Sequence, residues 1–367
     1  MIMQQISDMH ISNFRGIRDL TLEKIGNINL LVGGNNSGKT SVLEAIGTFC
    51  RPLDPREWLN TARRREIMLP NVSVIDSLKW FFPQINENTD NLYKGETLVN
   101  AQGTFPVRSV NARFQEIISD NLPNNIDDGI SDNTRRGADF TLTANIDVTA
   151  FSLYHTTVFS ESFELWEDEN LVQKQDITCP TLPVRTIVPH AHRVERLQIQ
   201  QFSASGLQEL NTSVVSLLQK FDPNIEDLAL WAPSGNRPAL YIKHTKLGLT
   251  PLSSFGDGMR RVVLMATTIP LCRGGILLID ELETAVHIKM LIHTLDWLVR
   301  ACEENNIQLF ASTHSLEAVD AILSSRNIKD DLVMYRLQEP KKGINVIRFD
   351  KDLLVNLREE MAQEVRW

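Results

Sequence analysis

Apolar and polar positions alternate at the start of the chain. "QISDMHISNF" and "DLTLEKI" change face at every second residue and predict two strands, and the continuously apolar "INLLVG" predicts a strand buried on both sides. Past residue 40, the apolar positions of "SVLEAIGTF" move to helical spacing. From 51 to 185 the pattern changes character. This stretch holds the Arg-rich "ARRRE", an Asn-rich polar segment (residues 84–136) and at least two strand-like runs, "ADFTLTANIDVT" and "SESFELWED". It reads as an insertion with a β lobe and a flexible segment. "GLQELNTSVVSLLQKF" then places Leu207, Leu210, Val214, Leu217, Leu218 and Phe221 on one helical face. After residue 250, helical patterns alternate with the apolar strands "GGILLID", "IQLFAST" and "DLVMYRL", which indicates an α/β sheet. The expected division is a core N-terminal part (1–50), the insertion (51–185), a helical lid region (186–249) and a core C-terminal part (250–367). No internal repeat or heptad series interrupts this plan.

Composition narrows the class. The 367 residues carry a net charge of −9, which disfavours a globally basic nucleic-acid binder but leaves room for a local basic face. No apolar run approaches the roughly 18 residues that span a bilayer, so no membrane partner is expected. The start, "MIMQQISDMHISNF", has neither a basic region nor an apolar core, so a cytoplasmic protein is expected. Cys50, Cys179, Cys272 and Cys302 show no paired spacing and read as thiols in a reducing compartment.

"GGNNSGKT" fits the phosphate-loop pattern G-x-x-x-x-G-K-[ST], with an apolar strand before it and a helix after it. Backbone N–H groups of such a loop surround phosphates, and its glycines permit close approach. The expected nucleotide-binding set is Gly33, Asn35, Asn36, Ser37, Gly38, Lys39, Thr40 and Ser41. Lys39 reaches the β and γ phosphates of ATP, and the Thr40 hydroxyl ligates Mg²⁺.

The strand "GGILLIDELE" ends in Asp280-Glu281. Carboxylates at the end of a buried strand are costly unless they meet a cation or a proton donor. Beside a phosphate loop, Asp280 is assigned to Mg²⁺ and Glu281 to polarising the attacking water as general base. "IQLFASTHS" ends in Thr313-His314-Ser315, at the expected carboxyl end of a neighbouring strand, where α/β sites form. A lone histidine is more often a satisfied core or surface residue; here His314 is read as a γ-phosphate sensor. His190 and His192 are two apart, and His287 and His293 six apart; neither spacing is that of a helical metal pair.

The order of "NFRG", the phosphate loop, a long insertion, "SFGDG", "LLIDE" and "STHS" resembles the ATP-binding-cassette class of P-loop ATPase. The resemblance is to its soluble branch with SMC and RecF heads, and within it to the overcoming-lysogenization-defect (OLD) group. Asn13-Phe14-Arg15-Gly16 and "GGNNSGKTSVLEAI" match that group's opening. In "DELETAVHIK", Glu283 and His287 match, while Leu282 and Ile288 replace prolines. The resemblance spans about 40 N-terminal and 100 C-terminal residues. It implies a head with a mixed or parallel central sheet, an antiparallel β lobe and an inserted helical and β region. It also implies ATP-driven, head-to-tail dimerisation, or a higher homo-oligomer, in which Ser254, Gly256 and Asp257 cap the γ-phosphate held by the partner. Arg260 lies beyond them, and Phe255 stands where transporter cassettes have glycine. Gln84 is the candidate Mg²⁺-sensing glutamine. The group's C-terminal TOPRIM nuclease is not expected in the roughly 50 residues after His314. A separate effector, nuclease or toxin, in a defence system against phage is the implied setting.

Arg63, Arg64 and Arg65, and Arg193 with Arg196, are candidate contacts for DNA, and Arg193 alternatively faces the nucleotide. A DNA-end-binding head, a transporter ATPase and a barely hydrolysing scaffold are the competing readings. The β insertion and the altered signature count against the second, and the intact acidic pair against the third.

Overall fold

The computed structural model describes residues 4–64, 73–83, 92–120, 134–150, 153–167, 179–204, 211–232, 238–325, 331–338 and 344–366. In chain order, β1 (Asp8–Phe14), β2 (Ile17–Leu22) and β3 (Ile28–Gly33) precede α1 (Lys39–Cys50), α2 (Pro55–Arg63) and α3 (Val74–Lys79). Then come β4 (Lys94–Gln102), β5 (Val107–Asp120), β6 (Thr134–Ala150), β7 (Leu153–Trp166) and β8 (Val184–Ile187). Helices α4 (Glu195–Ala204) and α5 (Asn211–Phe221) lead to β9 (Ile225–Trp231), β10 (Ala239–His244) and β11 (Gly248–Pro251). The remainder is α6 (Asp257–Thr268), β12 (Ile276–Ile279), α7 (Ile288–Glu304), β13 (Gln308–Ser312), α8 (Leu316–Leu323), β14 (Leu332–Gln338), β15 (Asn345–Asp350) and α9 (Lys351–Val355).

The central sheet has the order β15-β14-β3-β13-β12-β8; its pairings are parallel except for β15 against β14. Strands buried on both faces read as unbroken apolar runs, and the pleat sends alternate side chains to opposite layers. Leu30, Val32, Leu277, Ile279, Leu309, Ala311, Leu332 and Met334 join a core with helices α5 to α8. Leu31, Ile276, Leu278, Phe310, Val333 and Tyr335 join a second core with α1 and the β lobe. Each such Val, Leu, Ile, Phe or Met side chain, fully buried, stabilises the fold by about 1.5–3 kcal/mol. The result is a mixed α/β fold with helices on one side of the sheet and α1 plus the lobe on the other.

The lobe is one antiparallel sheet in the order β2-β1-β4-β5-β6-β7. The hairpin at the chain start and the segment after residue 51 therefore build a single sheet, with four strands from the latter. The chain returns from the lobe at β8, which lies in the central sheet across the boundary drawn at 185/186. The region 186–249, read as helical, also contains β9, β10 and the start of β11, an antiparallel sheet whose Ile225, Leu228, Leu240 and Ile242 enter the helical core. Gln84, Arg65, Leu207, Leu210 and residues 84–91 and 121–133 of the Asn-rich segment lie outside the described residues. Among the described residues no helix is long and apolar enough to cross a membrane.

Candidate active site

Three adjacent strands, β3, β13 and β12, run parallel and end together. Their carboxyl ends carry the phosphate loop, Ser312-Thr313-His314 and Asp280-Glu281. The loop's geometry follows from its glycines. Gly33 has φ 140°, and a Cβ there would sit 2.3 Å from the Leu337 carbonyl oxygen, so a side chain is excluded. Gly38, at φ 93°, caps α1 in the left-handed region. Ser37 and Lys39 are buried, Asn35 and Asn36 are exposed, and Ser41 is buried on α1. Lys39 Nζ donates to the carbonyls of Gly33 (2.9 Å) and Gly34 (2.7 Å) and to Ser37 Oγ (3.4 Å). Burial lowers its pKa, opposed by Asp280, Glu281 and Glu283.

Across the loop, Thr40 Oγ1 donates to Asp280 at 3.1 and 3.3 Å. Ser312 Oγ donates to Asp280 Oδ1 (2.5 Å) and accepts from the Glu281 N–H (2.9 Å). Glu281 holds φ 50°, a conformation non-glycine residues seldom adopt and one concentrated at functional sites. Thr284 Oγ1 donates to Glu281 Oε2 at 2.9 Å and orients the carboxylate. Among the described residues no cluster of three or more His, Cys, Asp or Glu side chains could hold a metal. The Thr40 hydroxyl and the Asp280 carboxylate are nevertheless hard oxygen donors in contact. They fit Mg²⁺, which takes one or two protein ligands and completes its shell with phosphate and water.

These strand-end groups are the arrangement of a P-loop ATPase, and comparison with known proteins agrees. A family model described as "AAA domain, putative AbiEii toxin, Type IV TA system" matches residues 123–320, more than half of the chain. The chain belongs to this family. A second model, "AAA ATPase domain", matches residues 3–175. An "ATP/GTP phosphatase" of Helicobacter pylori is 22% identical over 360 residues, covering 91% of this chain and 92% of that protein. The "DNA replication and repair protein RecF" of Actinobacillus pleuropneumoniae is 54% identical over 41 residues, 11% of each chain. Among solved structures, an SMC head bound to the C-winged helix domain of ScpA is similar at TM-score 0.50 and 8% identity, over 95% of this chain and 98% of that one. The chain is thus an AAA-family ATPase-domain protein with an SMC-head-like fold.

This AAA-family site includes groups that the strand-end motifs do not announce. Arg261, wholly buried on α6, donates to the carbonyls of Val188 (2.5 Å), Asp280 (3.1 Å) and Glu281 (3.3 Å). Burial pulls its pKa down to about 10, against the pull of Asp280, Glu281 and Glu283. One guanidinium thus fastens the turn after β8 to the turn carrying the acidic pair. Arg261→Leu should leave these carbonyls without a donor and lower stability by about 1–3 kcal/mol. Arg261→Lys should recover only part, since an ammonium lacks the planar fork. Thermal melting of both variants checks this.

Glu283 accepts from Thr313 Oγ1 (2.6 Å) and from the His314 N–H (2.8 Å), and the His314 carbonyl accepts from Arg366 Nη1 (2.7 Å). His314 is therefore fixed through its backbone beside the acidic pair.

Ser254, Gly256 and Asp257 stand at the N-terminus of α6; Ser254 and Gly256 are exposed. Among the described residues no hydrogen bond or ion pair links them to Lys39, Thr40 or Asp280 of the same chain. Phe255, standing at the glycine position of transporter cassettes, packs against the helical core with its ring 6.3 Å from that of His244. A Cβ on Gly258 would meet the Ala285 carbonyl oxygen at 2.8 Å, so this helix start lies directly against the turn after the acidic pair. Arg193 donates twice to Asp257 Oδ2, at 2.6 and 3.0 Å, and Arg260 bonds the other oxygen at 3.3 Å. Arg193 therefore faces the signature segment of its own chain. Arg64 pairs with Glu57 at 2.8 Å, so of the arginines considered for DNA, Arg64 and Arg193 are already engaged with carboxylates.

Proposed function

We propose that the chain is an ATP-hydrolysing switch that closes head to tail on two ATP molecules. The observation that carries the reading is the continuous hydrogen-bonded set Thr40–Asp280–Ser312–Glu281 beside the buried Lys39 ammonium. Backbone N–H groups of the loop and the α1 N-terminus bind the phosphates, and Lys39 exchanges its carbonyl partners for phosphate oxygens. Thr40 and Asp280 would hold Mg²⁺, which would supply positive charge against the phosphates. Glu281, aimed by Thr284, accepts a proton from the attacking water. His314, held beside Glu283, reads the γ-phosphate.

Several features favour completion of the site by a second copy. Ser254 and Gly256 present a helix N-terminus outward, a suitable anion cap. Beside it, the turn after the acidic pair leads into exposed Ile288 and Ile292 on one face of α7, apolar surface suited to self-association. Ser254→Arg should abolish ATP-driven dimerisation and cut turnover at least about tenfold, while the monomer still binds ATP. Light scattering with ATP, paired with phosphate release, measures both. Normal turnover would reduce the stretch to a loop.

We further assign the switch to a bacterial defence setting, as sensor or scaffold for a separate nuclease or toxin effector. The toxin–antitoxin wording of the matching family and the OLD-like motifs support this. Phage plating on cells carrying the gene with its neighbours, against the same cells with Lys39→Ala, tests it: equal plating efficiencies would refute the assignment.

A further inference from the structure

Residues 356–366 carry none of the motifs that mark the site, yet they reach it. After α9 the chain makes one further helical turn (Asn356–Glu360) and then returns to the start of α8, where Arg366 meets the His314 carbonyl. Three contacts hold this path. Arg358 donates through Nε and Nη2 to the two carboxylate oxygens of Asp320 on α8, each at 2.8 Å. The Gln363 N–H donates to the Leu357 carbonyl at 2.8 Å. Val365 is 1% exposed and joins the helical core, which fixes its neighbours Glu364 and Arg366 in place.

The guanidinium of Arg366 is aimed before it meets His314. Its Nε and Nη2 donate to the two oxygens of Glu364, at 2.8 and 2.7 Å, as a planar fork. That bond is the chief reason the Glu364 carboxyl is held down to about 2. The fork occupies one edge of the guanidinium and leaves Nη1 for the His314 carbonyl at 2.7 Å. His314 is therefore gripped from two sides. Glu283, in the turn after β12, accepts from its N–H at 2.8 Å, and Arg366 donates to its carbonyl from 52 residues further along the chain. Among the described residues the imidazole itself makes no hydrogen bond, so these two backbone contacts are the polar restraints on where the ring stands.

We propose that Arg366 is a positioning residue for His314, and that residues 356–366 form a strap that sets where the imidazole stands against the γ-phosphate. This rests on the assignment of His314 to the γ-phosphate. Displacing a group by about 1 Å from a reacting atom can cost on the order of 100-fold in rate, and releasing one of two restraints should cost about tenfold. The phosphates themselves are bound by the loop and Lys39, so the strap should act on turnover and leave ATP affinity alone.

The test is ATP hydrolysis by the full chain, measured as kcat and KM in a double-mutant cycle. His314→Ala should lower kcat at least about tenfold. Arg366→Ala should lower kcat about tenfold, with KM for ATP within about twofold of wild type. Arg366→Lys, which can donate to the carbonyl without the fork, should recover part of the loss. In the His314→Ala background, Arg366→Ala should bring no further loss, since a strap that works through His314 has nothing left to place. Should Arg366→Ala unfold, Glu364→Gln loosens the same fork with Val365 still buried; it should lower kcat about threefold, and only while His314 is present. Full kcat in Arg366→Ala while His314→Ala loses it would overturn the strap and leave the sensor role intact. A second tenfold loss in the double variant would also overturn it, since Arg366 would then act by another route. Normal kcat in His314→Ala would remove the sensor role and the strap with it.

Discussion

Replacing Lys39 with alanine should lower the affinity for ATP at least about 100-fold, on the order of 3 kcal/mol. Its ammonium sits in a buried position with three oxygen partners on its own loop. Carbonyls are neutral and phosphate oxygens are charged, so a nucleotide outcompetes them, and charge-assisted bonds are roughly twice as strong as neutral ones. Partial burial strengthens the effect because less water screens the pair. The α1 face that anchors the loop, Val42, Ile46 and Phe49, is untouched by the change, so the fold should persist. Calorimetric titration with ATP, with circular dichroism as control, gives the answer. Unchanged affinity in a folded variant would remove the phosphate-loop assignment.

Glu281→Gln should separate binding from chemistry. The amide preserves size and can still accept from Thr284 Oγ1, which now bonds Glu281 Oε2 at 2.9 Å. The backbone bond to Ser312 Oγ is likewise retained. Only the capacity to take a proton is lost, which for a positioned general base is about a 100- to 10,000-fold effect on rate. ATP binding should stay within a few-fold of wild type, and the protein should accumulate as a closed, ATP-filled dimer. Single-turnover phosphate release together with light scattering measures both. Wild-type turnover would exclude Glu281 as the base.

The parts of the site that were legible in the sequence are those whose chemistry is local. The phosphate loop spans eight consecutive residues, and Asp280-Glu281 follows four apolar ones, so strand, turn and function lie in one window. The central strands were legible because burial on both faces leaves unbroken apolar runs. β8 was not, because "VRTI" is four residues long with polar alternate positions, and its burial depends on β12 beside it. The small sheet before the signature was not read from the sequence: β11 is only four residues long, and residues 233–237 between β9 and β10 lie outside the described residues. Arg261 carries no local signal in "MRR", since its Val188 partner lies 73 residues away in sequence. The Arg193–Asp257 contact crosses 64 residues and could be resolved only once β8 was placed in the sheet.

The central claim is that one chain's phosphate loop and another chain's signature segment make one site. Mixing Lys39→Ala with Ser254→Arg tests it most directly. Each variant alone should be inactive, the first for want of a bound nucleotide and the second for want of a cap. Neither variant closes with itself on ATP, so the dimers of an equal mixture pair the two variants, and each has one site with an intact Lys39 facing an intact Ser254. The mixture should therefore recover up to about half of wild-type turnover, one of the two sites of a two-fold dimer being complete. A mixture as inactive as its components, at concentrations where the wild-type protein dimerises with ATP, would contradict the account.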